Sequence, residues 1–449
     1  MDSKDRFIAH KPITVTHKGI QMRTIVINGG KPLKGIVTPS GNKNAALPLI
    51  TACLLTDQQV TLKNLPNIGD VQTMRKLIQS LGVEIEVVDT HTWRLKAKEV
   101  HKADLDPDLC RKIRASILLA GPMLGRVGEI ELPPPGGDVI GRRRVDTHFL
   151  ALKAFGVEVK YSEREFKLFA PHGLHGANVL LDEASVTATE NAIMTAVLAK
   201  GRSIIRNAAS EPHVQELCQY LNLLGAKISH IGSNTLHIEG VDGINGGEFT
   251  IGPDYLEVVS FIGAAAVTKG EIRIRNAAPS HLDMIRLVFS RLGVIWEIEG
   301  EDILVPSEQP LKIVPDLGGA IPQISVMPWP SFPTDLMSIA IVVATQSNGT
   351  VLFHDWMYPS RMFFTDKLVA MGARITLCDP HRCIVLGPNH LLSENLDSPD
   401  IRAGMALVIA ALAAEGKSYI RNIGQIDRGY EGIDKKLSEL GADITRMDG

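Results

Sequence analysis

Six times along the chain a hydrophobic-Gly step closes an amphipathic stretch and an alternating stretch follows at once: LGVEIEV, FGVEVKY, LGAKISH, LGVIWEI, MGARITL and LGADITR. Their glycines are Gly82, Gly156, Gly225, Gly293, Gly372 and Gly441, spaced by about 70 residues, the signature of an internal repeat. Glycine is what the first position beyond a helix requires when the chain turns left-handed there. A second pattern keeps the same beat: KGRSIIRNAA, KGEIRIRNAA, NGTVLFHDW and EGKSYIRN lead from the end of a small-residue helix into a strand. RVGEIELPP matches it more loosely, and DQQVTLKNLP lacks the glycine. Each unit therefore reads strand, helix, strand, helix, strand, strand. In the first unit these are GIVTPS, NAALPLITACLL, VTLKN, VQTMRKLIQSLG, VEIEVV and WRLKA, with Val71, Met74, Leu77, Ile78 and Leu81 on one helix face.

The sixth unit stops after LGADITR, and the N-terminal TIVINGG resembles the strand it lacks. Closing the sixth unit with Thr24 to Gly29 predicts an α/β fold of two similar domains, each of three βαβαββ units. The expected division is 43–252, carrying a loop at 132–144, and a discontinuous 22–42 plus 253–449, with 1–21 as an N-terminal extension. An open solenoid also repeats without doing chemistry. A discontinuous second half fits two globular domains better, and a crevice between such domains is a natural substrate site.

Composition narrows the function classes. The 449 residues are 45% hydrophobic, enough for two or three domains with real cores. Basic and acidic side chains number 47 and 50, a net charge of −3, which argues against a nucleic-acid partner. Cys53, Cys110, Cys218, Cys378 and Cys383 form no CxxC pair, which fits a reducing compartment. The polar start has no apolar core of a secretory signal, and Met405 to Ala414 is too short to span a bilayer. A cytoplasmic protein without a membrane partner is expected, with Met22 as an alternative start.

Polar clusters open the first helix of each unit: GNKN (41–44), CRKIR (110–114), DEAS (182–185), GPDY (252–255), FPTD (332–335) and SPDIR (398–402). If the six helices point alike, these clusters converge. Helix N-termini favour anions, and Lys43, Arg114 and Arg402 add full charge. The same Ser, Asp and Asn residues also serve as ordinary N-caps. The segment LPPPGGDVIGRRR (132–144) reads as a loop, with Asp138 and the arginines 142–144. It suits a solvated basic loop or a lid over an anionic substrate, because the arginine fork matches phosphate and carboxylate. Arg361 and Arg428, taken singly, read as surface or helix-start residues. His148, His213 and His281 read as caps or core. No Walker A motif, no helix-opening GxGxxG and no His/Asp metal constellation is present.

Together SGNKNAALP, IRAS, PPGGDVIG, RRRVDTH, ASVTATENAIM, FPTD, DIRAG and IDRGYE resemble the UDP-N-acetylglucosamine 1-carboxyvinyltransferase (enolpyruvyl transferase) family, in order from about Thr24 to the C-terminus. The resemblance implies the enolpyruvyl transferase fold, an inside-out α/β barrel in each domain. It also implies transfer of the enolpyruvyl group of phosphoenolpyruvate to UDP-N-acetylglucosamine, with no cofactor and no metal. It places Lys43, Arg114, Arg143 and Arg428 on the phosphate of phosphoenolpyruvate, and Arg361 and Arg402 on its carboxylate, with Asp400 orienting them. It places Asn44, Arg114, Arg143, Asp146, Ser185, Val186, Asp335 and Met357 around UDP-N-acetylglucosamine, with Asp335 as general base. It makes Lys43, Asp138, Asp335 and Arg402 the catalytic set. The sequence departs from the family where its commonest loop reads PGGC. That Cys is a proton donor and the target of the epoxide fosfomycin, and here Asp138 replaces it. Glu183 to Ser185 depart from the family's basic form as well. The sister family, 5-enolpyruvylshikimate-3-phosphate synthase, typically carries a GDKS-type motif where this chain has GNKN. A non-catalytic paralogue that binds nucleotide sugar is the alternative from another class.

Overall fold

The computed structural model describes residues 23–101, 104–138, 140–141, 143–162 and 164–447. The expected extension 1–21, Met22 and Arg142 lie outside the described residues. The repeat glycines do what the pattern demanded. Gly82, Gly156, Gly225, Gly293, Gly372 and Gly441 all have φ between 78° and 105°, each just beyond a helix and before a strand. The first-unit helix expected over 71–81 spans Gly69–Ser80 and buries Val71, Met74, Leu77 and Ile78.

Among the described residues the strands form six sheets. Thr24–Asn28 lies antiparallel between Lys417–Arg421 and Asp443–Met447, so the N-terminal strand completes the sheet that the C-terminal unit leaves open. Five sheets have four strands. The second unit is the exception: among the described residues its sheet holds Glu129–Leu132, Glu158–Tyr161 and Phe166–Phe169, and the expected opening strand is not among them. Asp106 caps the helix Pro107–Lys112, its side chain accepting from the Asp108 and Leu109 N–H groups, and Pro107 suits the first helical position.

The opening strands of units one and four are exchanged. Lys34–Val37 runs parallel to Glu271–Ile274, while Gly247–Thr250 runs parallel to Gln59–Lys63. The chain thus passes twice between halves, and the two passages touch. Asn42 N–H donates to Gly252 O and Asp254 N–H to Ser40 O, both at 2.8 Å. Each passage is also held by a glutamate, Ser40 N–H by the buried Glu257 (2.9 Å) and Gly252 N–H by the half-buried Glu216 (2.6 Å). Gly41 is required here, since a Cβ would fall 1.8 Å from Asn64 O.

Buried apolar side chains fall into two clusters, one from Ala45 to Ile251, the other joining Ile25–Val37 to Tyr255–Ala442. At the centre of the second, the helices Tyr255–Thr268, Met337–Gln346 and Ile401–Ala413 pack on one another. They are apolar almost all round, as helices buried on every side must be. No helix among the described residues is long and apolar enough to cross a membrane.

Candidate active site

Lys43 is the first residue of the helix Lys43–Ala52, capped by Asn42, whose side chain accepts from the Asn44 and Ala45 N–H groups. That start is buried, and Lys43 Nζ lies 3.0 Å from Asp70 Oδ2. Asp70 sits in the first turn of Gly69–Ser80, where a carboxylate also suits the helix dipole. From the other core, Arg428 donates through Nε to Asp70 Oδ1 at 2.9 Å and through Nη1 to Asp138 Oδ1 at 2.6 Å. Gln425 accepts from the same Nη1 at 2.9 Å. Two predicted anion-binding cations, from opposite ends of the chain, therefore share one buried carboxylate.

A second cluster surrounds Asp335, in the turn Thr334–Leu336 that leads into Met337–Gln346. Arg361 Nη2 reaches its Oδ1 at 2.9 Å and Arg402 Nε its Oδ2 at 3.1 Å. Both arginines are buried, and each keeps a nitrogen without a partner among the described residues, Arg361 Nε and Arg402 Nη1. Buried donors of this kind are costly unless something accepts from them. Tyr358 and Tyr430 cover the guanidinium faces, with ring centres 5.4 and 5.5 Å away. Burial pushes the Asp335 carboxyl upward, but Arg402, Arg361 and Lys43 outweigh it and hold the group well below the usual carboxylate range. The resemblance implies that Asp400 orients the two arginines. Asp400 caps Ile401–Ala413, accepting from the Arg402 and Ala403 N–H groups at 2.8 and 3.0 Å, and so fixes where the helix that carries Arg402 begins.

The third group is the loop. Gly136 and Gly137 N–H donate to Cys110 and Arg111 O, tying the PPPGG turn over the start of Arg114–Leu119. A Cβ at Gly137 would stand 3.1 Å from Arg114 Cβ and 3.3 Å from Arg143 Nη1, and its φ is 104°. Arg114 is pushed down to about 10, first by burial and then by Arg143, the mark of two guanidinium groups crowded at one place. The loop also touches the other core: Ser360 N–H donates to Ile140 O at 3.3 Å, and Pro359 packs on Gly141.

The expected sugar-nucleotide residues are less tightly gathered. Ser185 is the N-cap of Val186–Val197, accepting from Ala188 N–H at 3.4 Å, and Val186 opens that helix. Met357 is half-buried, its N–H donating to Asp355 at 3.0 Å. Asn44 has its N–H on the Asn42 cap. Asp146 is exposed and paired to Arg144, which also binds Asp182. His148 and His213 are buried core residues, as read. Burial pushes them down to about 3 and about 4. Sequence reasoning missed Asp70 and Tyr358. An acid in the first turn of a second helix looks like any dipole-favoured residue, and nothing local reveals that two distant cations converge on it.

Comparison with known proteins bears on this arrangement. The family model for EPSP synthase (3-phosphoshikimate 1-carboxyvinyltransferase) matches residues 27–437. UDP-N-acetylglucosamine 1-carboxyvinyltransferase of Treponema denticola is 54% identical over 423 residues, covering 94% of this chain and 99% of that protein. The protein of the same name from Bradyrhizobium diazoefficiens is 55% identical, with 94% and 97% coverage. Among solved structures, the enolpyruvyl transferase NikO from Streptomyces tendae superposes with a TM-score of 0.84 at 23% identity, covering 96% of this chain and 100% of that one. EPSP synthase from Acinetobacter baumannii does so with 0.74 at 15%, covering 95% and 100%. These structures establish the two-domain enolpyruvyl transferase fold. Because the higher identity runs the length of both partners, whereas the solved neighbours share the fold alone, the chain belongs to the UDP-N-acetylglucosamine 1-carboxyvinyltransferase family.

Proposed function

We propose that the protein transfers the enolpyruvyl group of phosphoenolpyruvate to the 3′-hydroxyl of UDP-N-acetylglucosamine and releases phosphate, the first committed step of peptidoglycan synthesis, in the cytoplasm. The observation that carries this reading is the pair of buried arginines, Arg361 and Arg402, flanking Asp335 with unpartnered N–H groups. They suit the carboxylate of phosphoenolpyruvate, while Lys43, Arg114, Arg143 and Arg428 suit its phosphate. The sugar nucleotide lies between Asn44, Asp146, Ser185, Val186 and Met357. The residues 43–252 and 22–42 plus 253–449 are the two bodies that face one another across it.

Asp335 is a poor base while Arg402 and Arg361 hold it. An anionic substrate that takes over their donors frees the carboxylate to accept the 3′-hydroxyl proton. The hydroxyl oxygen then bonds to C2, and Asp138 gives a proton to C3. For that step Asp138 must carry a proton, and its ion pair with Arg428 must open. Arg428 turns to the phosphate as it does so. Loss of a proton from C3 and cleavage of the C2–O bond then release phosphate and restore the double bond. Preorganised cations around the developing charge supply the electrostatic part of the acceleration.

A phosphate-release assay tests the reading. Release is expected with phosphoenolpyruvate and UDP-N-acetylglucosamine and none with shikimate 3-phosphate as acceptor. Release with shikimate 3-phosphate alone would transfer the protein to the sister reaction, and none with either would make it a binding protein.

A further inference from the structure

Three residues beyond Arg428, Glu431 reaches into the opposite half of the molecule. Its Oε2 accepts from Asn67 N–H at 3.0 Å, and its Oε1 meets His91 Nε2 at 2.8 Å. Both partners belong to one braced patch. Asn67 Oδ1 accepts from Gln72 Nε2 at 3.1 Å, just inside the helix that carries Asp70. His91 lies in the turn between Glu84–Asp89 and Thr92–Lys96, where its N–H donates to Asp89 at 2.7 Å and its carbonyl accepts from Leu65 N–H at 2.9 Å. The patch is therefore a rigid wall rather than a loose loop tip.

The segment that presents Glu431 is equally constrained. Tyr430 is buried, its hydroxyl 3.0 Å from Ser260 Oγ, and its ring lies under Arg402. Gly429 is pressed on Ile401, where a Cβ would fall 2.5 Å from Cγ2, and Gly432 turns the chain at φ 53°. Arg428, Tyr430 and Glu431 thus form one short rigid unit. One residue enters the Lys43–Asp70 cluster, one backs Arg402, and one grips the far wall.

We propose that Glu431 is a positioning residue: its clasp on Asn67 and His91 holds the 428–431 segment against the opposite half, so that Arg428 is aimed at the anion-binding cluster. Glu431 does not touch the reacting groups and acts through Arg428. The sugar-nucleotide side, built around Ser185, Val186 and Met357, does not depend on it. The consequence for turnover rests on the proposed enolpyruvyl transfer, but the clasp itself does not.

The test is a double-mutant cycle on Glu431→Ala and His91→Ala, read by calorimetric binding of inorganic phosphate and by steady-state kinetics. Losing a charge-assisted contact predicts phosphate binding and KM for phosphoenolpyruvate weakened about tenfold in Glu431→Ala, with KM for UDP-N-acetylglucosamine within about twofold. His91→Ala, on a half-exposed turn, is expected to weaken both by about threefold. The double variant should be no worse than Glu431→Ala, because the two residues share one contact. Multiplying effects in the double variant, equal changes in both KM values, or unchanged phosphate affinity in Glu431→Ala would each overturn the clasp. If Glu431→Ala does not fold, His91→Ala and Glu431→Gln are compared instead: unchanged phosphate binding in both overturns it. A protein that releases no phosphate in any assay refutes the proposed function and leaves the phosphate-binding cycle to decide the clasp.

Discussion

Arg428 and Asp138, 290 residues apart in the chain, meet at 2.6 Å. The residue expected to protonate the substrate is thus ion-paired to a residue expected to bind the substrate phosphate. In the proposed reaction this pair couples substrate binding to release of the proton donor, since a guanidinium that turns to phosphate must loosen its hold on the carboxyl.

Asp138 also sets the response to an epoxide. A carboxylate is a far weaker nucleophile toward fosfomycin than a thiolate, so the native protein is expected to retain full activity after incubation with it. Asp138→Cys should gain time-dependent inactivation. Its activity should peak at higher pH, because an ordinary thiol stays protonated to about pH 8.5 and an ordinary Asp only to about 3.9. Residual activity after fosfomycin and a pH profile of both forms check this; rapid inactivation of the native protein removes Asp138 from the donor role.

Arg402→Lys and Arg428→Lys keep charge and lose the fork. Arg402 would lose its fixed hold on Asp335, and Arg428 its simultaneous contacts to Asp70 and Asp138. A charge-assisted bond is worth roughly 1.5–3 kcal/mol, which predicts about a ten- to hundredfold loss in kcat/KM for phosphoenolpyruvate with the fold intact. Steady-state kinetics with circular dichroism decide it, and wild-type values in either variant take that residue out of the site.

Asp70 compensates two cations at once. Removing one partner of a buried pair leaves the other uncompensated, at a cost of about 3–5 kcal/mol. Asp70→Asn should therefore lower stability strongly, and inorganic phosphate should restore part of it by supplying negative charge beside Lys43 and Arg428. Denaturant titrations with and without phosphate measure this. A variant as stable as wild type, or one indifferent to phosphate, contradicts the shared-carboxylate arrangement.

Glu216 makes stability depend on pH. Burial pushes its carboxyl up from 4.5 to about 7, against the Gly252 N–H and with the help of Asp254. The folded state then binds more protons than the unfolded one between those values. The contribution of Glu216 to stability is fully present below pH 4.5 and is lost as pH rises through about 7. Glu216→Gln keeps an acceptor for Gly252 N–H and removes the charge. Relative to wild type it should gain about 3 kcal/mol between pH 5 and pH 8. Glu211, also pushed up to about 7 by burial, leaves a residual slope in both proteins. Equal slopes in the two would contradict the linkage to Glu216.

The sequence alone determined most of the elements and named most of the residues proposed for the site. A glycine beyond each amphipathic stretch can only be a left-handed helix end when a strand follows, and all six have that backbone. Lys43 and Arg402 could be picked out because they stand at helix starts where free N–H groups already favour anions. TIVIN could be assigned to the last sheet because its alternation matches the missing strand. Periodicity is short-range information, however, set within a few residues by backbone geometry. It says nothing about which surfaces face each other, so the sharing of Asp70 and the reach of Glu431 to His91 emerged only from the tertiary structure. Those contacts join residues up to 358 positions apart, and they exist because packing two buried cores side by side brings cations from one half onto carboxylates of the other.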